Sequence, residues 1–500
     1  MSHRFRMGSW ALLGVVMLSV SGWAQEDDLG PQICGPPPPP KPARRKAAES
    51  YPPLPLPVVP LRRTEKKRPP APPVLVGKLQ YGQRLRAIAP DGREYFFWDW
   101  NSDPGDLEHL FGWVNPRLGV RFRHENFPLA QLSAAVRVPA VYLHGHLGFT
   151  LTEQEVKGLR EYLLAGGTLF ANAGCGNQQF IDAFRREIVR VFPEKTLFRL
   201  PPDHPLYHAF YLIEEVTFRP AVGIPQGRPV LEGINLGCRT AVFFTPFDVA
   251  CGWDGHSPES NRGYSIPDAR RLGTNFIAYL LQYRQLSRYL AQPKVVLTGA
   301  TEGHEFVFAQ IVHQGDWNPD ERGVTNLLQR LARETNLRVA PQPKPIVLEE
   351  ADLFDYPFLY LTGHRDFQFS EAAVKKLRRY LQQGGFLLAD SCCGRLTFDA
   401  AFRREIARVL PNVPLTPLPP NHPVYGTHYT LRQVAYTPEV EGQTGPTLEG
   451  ITLGGHLAVV YSKYDLGCGW EQFPCPFCRG YKPATAFQLG VNAIVYALTH

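Results

Sequence analysis

Apolar and polar positions over residues 305–500 follow two different periods, and each change of period marks an element. FVFAQIVH (306–313) is rich in β-branched and aromatic residues and predicts a strand. VTNLLQRLARETN (324–336) places apolar residues three and four apart and predicts a helix. YPFLYLTGH (356–364) predicts a buried strand running into a loop. Ser370 and Glu371 open a helix, EAAVKKLRRYLQQ, which stops at Gly384-Gly385, a pair suited to a left-handed C-terminal cap. FLLAD (386–390) predicts a strand, SCCG a tight turn and FDAAFRREIARVL (398–410) a helix. LAVVYSKYD (457–465) predicts a late strand and AFQLGVNAIVYALT (486–499) the closing helix. Alternation of this kind predicts an α/β fold with a parallel or mostly parallel sheet covered on both faces. The functional crevice of such a sheet lies beyond the C-terminal ends of its strands.

The same pattern is written twice. At an offset of 218, PAVYLHGHLGF (139–149) falls on PFLYLTGHRDF (357–367), and AFRREIVRVFP (183–193) on AFRREIARVLP (401–411). LPPDHPLY (200–207) falls on LPPNHPVY (418–425). At 217, the segment 231–253 ending in CGW meets 448–470, also ending in CGW. Helix amphipathicity cannot hold loop residues such as His-Pro and Cys-Gly-Trp in register, so a whole domain is duplicated. Thr152 and Glu155 form a predicted capping box at the start of the first copy's matching helix. The expected organisation is a signal segment (1–24), a Pro-rich basic linker (25–75) and two domains (76–288 and 303–500).

The stretch DLFDYPFLYLTGHRDFQFSEAAVKKLRRYLQQGGFLLADSCCG, followed by FDAAFRREIARVLP and LPPNHPVY, resembles the bacterial domain-of-unknown-function family 4159. The second copy matches that pattern over about residues 305–500 and the first, more diverged, over about 78–285. The resemblance implies two tandem flavodoxin-like, class I glutamine-amidotransferase-like three-layer domains with mostly parallel sheets. It brings no established activity.

Composition bears on location. Arg4 and Arg6, the apolar run from Trp10 to Val20 and Gly22-Trp23-Ala24 read as a secretory signal cleaved after Ala24, and the protein is expected to be exported, periplasmic or secreted. After signal removal no span of 18 uninterrupted apolar residues remains to cross a bilayer. The formal net charge of +7 is mostly local, because residues 26–73 hold nine Lys/Arg against five Asp/Glu and the signal adds Arg4 and Arg6. That leaves about +1 on the domains, so a nucleic-acid partner is not indicated. The basic linker is read as a stiff spacer, with contact to an anionic surface as the other reading.

Candidate chemistry centres on cysteine. In amidotransferase-like folds the turn after the GG strand carries the nucleophile, which the resemblance places at Cys175 and at Cys392 or Cys393, with His364 or His422 as base in the second copy. The family motifs around that nucleophile are absent, and His204 and His422 are followed by Pro-Leu and Pro-Val rather than Pro-Glu. A second reading pairs the repeated cysteines as one staple made twice, Cys175–Cys251 and Cys393–Cys468. A third takes Cys468, Cys475 and Cys478 as metal ligands, with Cys392 or His456 completing a structural zinc; no other cofactor is expected. Asp99/Asp316, Asp248/Asp465 and Asn275/Asn492 recur and are read as turn-fixing residues, as is the pair Asn172/Asp390. Trp100/Trp317 and Trp253/Trp470 are read as packing. The leading expectation is a non-catalytic envelope protein with a binding or scaffolding role toward a cell-wall or glycan ligand or an envelope protein. The alternative is a cysteine-dependent hydrolase or amidotransferase-like enzyme acting through the second copy.

Overall fold

A computed structural model describes residues 71–82, 84–88, 92–255, 258–292, 305–472 and 475–500. The expected signal segment and most of the Pro-rich stretch lie outside the described residues. Seven strands form the first sheet: β1 (Val74–Gln80), β2 (Phe122–Pro128), β3 (Ala140–Gly145), β4 (Thr168–Ala173), β5 (Phe198–Arg199), β6 (Glu232–Leu236) and β7 (Arg239–Thr245), in the order β2-β1-β3-β4-β7-β6-β5. The second sheet repeats that order seven strands later: β8 (Ala309–Ile311), β9 (Lys344–Ile346), β10 (Phe358–Gly363), β11 (Phe386–Ser391), β12 (Thr416–Pro417), β13 (Leu448–Leu453) and β14 (His456–Ser462), arranged β9-β8-β10-β11-β14-β13-β12. Five strands of each sheet run parallel, and the last two pair antiparallel at one edge.

Helices cover both faces. In the first domain they are α1 (Asp106–Leu118), α2 (Glu153–Leu164), α3 (Gln178–Val191), α4 (Ala250–Asp254) and α5 (Ile266–Leu290). In the second they are α6 (Gly323–Glu334), α7 (Glu371–Gln382), α8 (Leu396–Val409), α9 (Gly467–Trp470) and α10 (Pro483–Thr499). The predicted elements are present, with two strands shortened: only Ala309–Ile311 of FVFAQIVH is ladder strand, Phe306 making an isolated bridge to Val339 instead, and LAVVYSKYD leaves the ladder after Ser462. The capping box forms, Thr152 accepting from Glu155 N while the Glu155 side chain accepts from Thr152 N. Gly166 and Gly384 take positive φ after α2 and α7, the conformation that stops a helix without a Cβ clash.

The repeated motifs are packing devices. In CGW the tryptophans are buried, and each indole N–H donates to a carbonyl of the closing helix, Trp253 to Ala269 at 2.7 Å and Trp470 to Ala486 at 2.8 Å. The central glycine is required by the same contact: a Cβ on Gly252 or Gly469 would sit 2.5 or 2.4 Å from the Cβ of that alanine. In AFRREI the glutamate is buried and accepts the backbone N–H leading into the preceding helix, Glu187 from Leu151 and Glu405 from Phe369, both at 3.1 Å. Arg186 and Arg190 flank Glu187, and Arg404 and Arg408 flank Glu405. Burial opposes ionisation of Glu187, but the Leu151 N–H and the two arginines outweigh it and lower its pKa.

The chain runs on from one domain into contact with the other. α5 is 25 residues against 17 for its counterpart α10. Its extra turns bring Tyr283 Oη to Pro476 O at 3.1 Å and Tyr289 Oη to Glu471 O at 2.8 Å, while Arg322 donates back to the carbonyls of Tyr289 and Leu290. Asp203 of the first domain accepts from Thr397 Oγ1 at 2.8 Å, and its carbonyl accepts from Arg395. Among the described residues no helix is long and apolar enough to cross a membrane.

Truncating a buried Trp leaves a cavity, so Trp470→Ala is expected to cost about 3–5 kcal/mol in urea denaturation. A carboxylate with a lowered folded pKa contributes stability that is present above its unfolded pKa and lost as pH falls through the folded one. Glu187→Gln should therefore destabilise by about 1–3 kcal/mol at pH 7. The gap to wild type should narrow in titrations below about pH 4.5.

Candidate functional site

Four backbone segments of the second domain converge at the C-terminal ends of β8, β10, β11 and β14. β11 ends at Ser391, and the turn Cys392–Cys393–Gly394 leads into α8. Cys393 takes φ +54°, a left-handed conformation uncommon for a residue with a Cβ, and it aims the thiol back over the strand ends. Asp465, after β14, ties this turn to α9: its carboxylate accepts from Cys393 N and, at 2.7 Å, from Cys468 N. Asp390, the last inward side chain of β11, accepts from Tyr360 Oη at 2.6 Å and from Leu466 N at 2.8 Å. Burial raises its pKa to about 6.

Six thiols meet here, all buried: Cys238, Cys392, Cys393, Cys468, Cys475 and Cys478. Cys238 belongs to the first domain. It sits with Gly237 at the tip of the β6–β7 hairpin, which enters the second domain and brings its Sγ 2.8 Å from Asp320 Oδ1. Its sulfur lies 3.5 Å from both Cys392 Sγ and Cys468 Sγ. Cys393 and Cys468 are 3.7 Å apart, and Cys468 and Cys475 3.5 Å. Hydrogen bonds from Cys238, Cys392 and other neighbours lower the Cys393 pKa, and Cys468 is lowered too although burial opposes it. Burial raises Cys238, Cys392 and Cys475.

His364 follows β10, with its Nδ1 2.8 Å from Asp316 Oδ2 and its buried Nε2 without a hydrogen-bond partner. Burial would raise the Asp316 pKa, but His364 outweighs it and holds the carboxyl at about 2. Against the same burial, Asp316 and Cys393 raise His364 to about 9. The cavity beside Cys238, His364 and Arg395 measures about 20 Å³, room for about one water.

The first domain carries the same frame with a different filling. Cys175 takes φ +49° at the matching turn, and the Sγ atoms of Cys175 and Cys251 lie near Asp248. Where the second domain has thiols and aspartates, the first has a buried polar network. Ser102 Oγ lies 3.0 Å from His144 Nε2 and 3.2 Å from His146 Nδ1, and His144 Nε2 lies 3.0 Å from Asp103. Asp99 accepts from the backbone of His146 and Leu147, and Lys78 pairs with Asp106 at 2.8 Å. Asn172 and Asp390 both accept the first N–H after the strand-end aspartate, from Val249 and Leu466. Only the amide donates as well, to Asp248 at 3.0 Å.

A wide cleft of about 1150 Å³ opens next to the thiol cluster, at the ends of β8 and β9. Its walls include His313, Asp316, Trp317 and Arg365 of the second domain and Glu194–Thr196 of the first. Trp317 is half-buried there, whereas its counterpart Trp100 is buried in the core.

The family model described as Domain of unknown function (DUF4159) matches residues 93–281 and again residues 307–498. The chain belongs to the DUF4159 family. No curated protein matches it.

The structure thus brings Cys392, Cys393, Cys468, Cys475, Cys478 and His364 together in the second DUF4159 domain. His422 is elsewhere: its Nδ1 accepts from Val424 N at 3.2 Å and caps a short turn, as His204 does through Leu206 N. His456 starts β14 and so lies at the far end of the strand from the cluster. The expected staples are not formed. Cys251, Cys393 and Cys468 are free thiols, and Cys175 is in a disulfide that does not involve Cys251. The 3.7 Å between Cys393 and Cys468 exceeds the roughly 2.05 Å of a bond, because other sulfurs share the space between the two turns. Cys238 and Asp320 were not anticipated. Cys238 lies where the second copy has Gly455, in a hairpin whose own sheet is in the other domain, so no local spacing points to it.

Asp465→Ala orphans two buried N–H groups at about 1–3 kcal/mol each and should destabilise by roughly 2–6 kcal/mol in urea titration.

Proposed function

We propose that this is an exported envelope protein that binds or scaffolds rather than catalyses, and that a cell-wall glycan is its ligand. The observation that carries the reading is the closure of the second domain's strand-end site. Cys238 from the first domain covers the turn where a nucleophile would act, Cys393 is 2% exposed, and the adjoining cavity is about 20 Å³. A nucleophile must reach a substrate carbon, and a one-water cavity admits none.

The cleft beside it supports the binding half of the proposal. Its volume suits an extended ligand. Lys195 and Arg365 face Glu194, Glu321 and Glu349, and Arg408 is already paired with Glu371 and Glu405. Mixed charge of this kind favours a hydroxyl-rich or zwitterionic ligand over a polyanion. Trp317 supplies a flat apolar face for a sugar ring. The N-terminal sequence supports export.

One observation favours the alternative. The positive φ of Cys393 and the nearby His364–Asp316 pair supply the residue types of a nucleophile, a base and an orienter, with His364 Nε2 unpartnered. Titration of the purified chain with soluble cell-wall glycan fragments, followed by tryptophan fluorescence, separates the two. Saturable binding is expected, weakened about tenfold by Trp317→Ala, which corresponds to about 1.4 kcal/mol, with no change in Tm. Turnover of amide or ester substrates that Cys393→Ala abolishes would instead establish the cysteine enzyme.

A further inference from the structure

We propose that the six thiols hold two zinc ions in a thiolate-bridged centre, and that this centre locks the two DUF4159 domains together. The spacing of the sulfurs is the first argument. Cys238, Cys392, Cys393 and Cys468 each present an Sγ within 4.8 Å of the other three. Four of these edges are 3.5, 3.5, 3.7 and 4.0 Å. A tetrahedral zinc with Zn–S near 2.3 Å has sulfur–sulfur edges of about 3.8 Å. Disulfides need sulfurs about 2.05 Å apart. An iron–sulfur cluster interposes inorganic sulfide and spreads its cysteines out of mutual contact.

Connectivity supplies the number of ions. Cys393 and Cys468 belong to the first quartet and also to a second set with Cys478 and Asp465. Cys475 lies against Cys468 at 3.5 Å. Cys393 and Cys468 therefore both neighbour Cys238, Cys392 and Cys478, and Cys468 also neighbours Cys475, which places these two between the remaining thiols as the shared ligands of two tetrahedra. Cys238 and Cys392 complete one site, Cys475 and Cys478 the other.

The surroundings fit. Loading six thiols with two zinc ions releases their protons and leaves six thiolates against four positive charges, a net of about −2. Arg395, half-buried and in electrostatic contact with Cys393, lies beside that charge. Asp465 accepts the N–H groups of both shared cysteines and so fixes their backbones from outside the sulfur shell. Six contacting thiols in an exported protein would be prone to oxidise unless a metal held them. The first domain, whose matching group is Cys175, Asp248 and Cys251, lacks the additional thiols.

Cys238 is the single ligand from the first domain, so metal binding and domain docking are one equilibrium. The test is metal analysis of the full-length chain purified without chelator, with zinc-edge X-ray absorption on the same sample. About two zinc per chain, a first shell dominated by sulfur and a zinc–zinc vector are expected. Cys393→Ser and Cys468→Ser should each abolish the zinc–zinc vector. Cys238→Ser should lower zinc content and increase protease cleavage between the domains. Cobalt loading of the wild type gives the same reading where a variant fails to fold: tetrahedral thiolate spectra with coupled ions are expected. Iron with acid-labile sulfide, metal-free protein with the six cysteines in disulfides, or one zinc per chain without a zinc–zinc vector would each overturn the proposal.

Discussion

The β6–β7 hairpin of the first domain ends inside the second, and the rest of the arrangement depends on that insertion. Gly237 takes φ +64° there, and a Cβ on it would meet Leu290 at 3.0 Å. A turn this tight, between a paired strand and the long helix α5, presents Cys238 to the strand ends where an α/β sheet ordinarily receives its ligand. Around it the hydrophobic core of the first domain runs without a break into the cysteine cluster of the second. Burial, the α5 extension and the Asp203 contacts then make the seam a continuation of the core rather than a surface contact.

Duplication preserved the frame and let its filling diverge. Both domains keep the strained cysteine after the fourth strand, the aspartate after the seventh and the CGW helix that packs its tryptophan on the closing helix. What changed is which groups face the enclosed space. In the first domain Lys78, Asp103, Asp106, Ser102 and His144 satisfy one another, as buried polar groups must. In the second, Gln310 stands where Lys78 does in the first, and Thr362 where His144 does, while Cys392, Cys475 and Cys478 add thiols. Closing one strand-end site with the neighbour's hairpin leaves the wide cleft around Trp317 as an accessible concavity of the second domain.

Much of the architecture was legible because it is local. Apolar spacing separated helix from strand, the Gly-Gly stops and the Thr152–Glu155 box marked helix ends, and a constant offset of 217–218 residues exposed the duplication. The His-Pro histidines were misleading for a comparable reason. Their imidazoles are spent on capping the next turn through Leu206 and Val424, which a sequence motif does not distinguish from catalysis. The antiparallel edge was also not specified, since β6 and β7 read as strands without stating their direction of pairing.

By itself the sequence determined two α/β domains, their equivalence, and the grouping of Cys393, Cys468 and His364 at strand ends, because all of these follow from periodicity and register. Only the tertiary structure decided that the repeated cysteines are not paired with each other, that Cys475 and Cys478 fold back onto them, and that Cys238 joins from the other domain. Those outcomes depend on how two domains dock, and docking is set by surface shape and burial between residues 154 or 230 positions apart in the chain, separations over which no local pattern carries information.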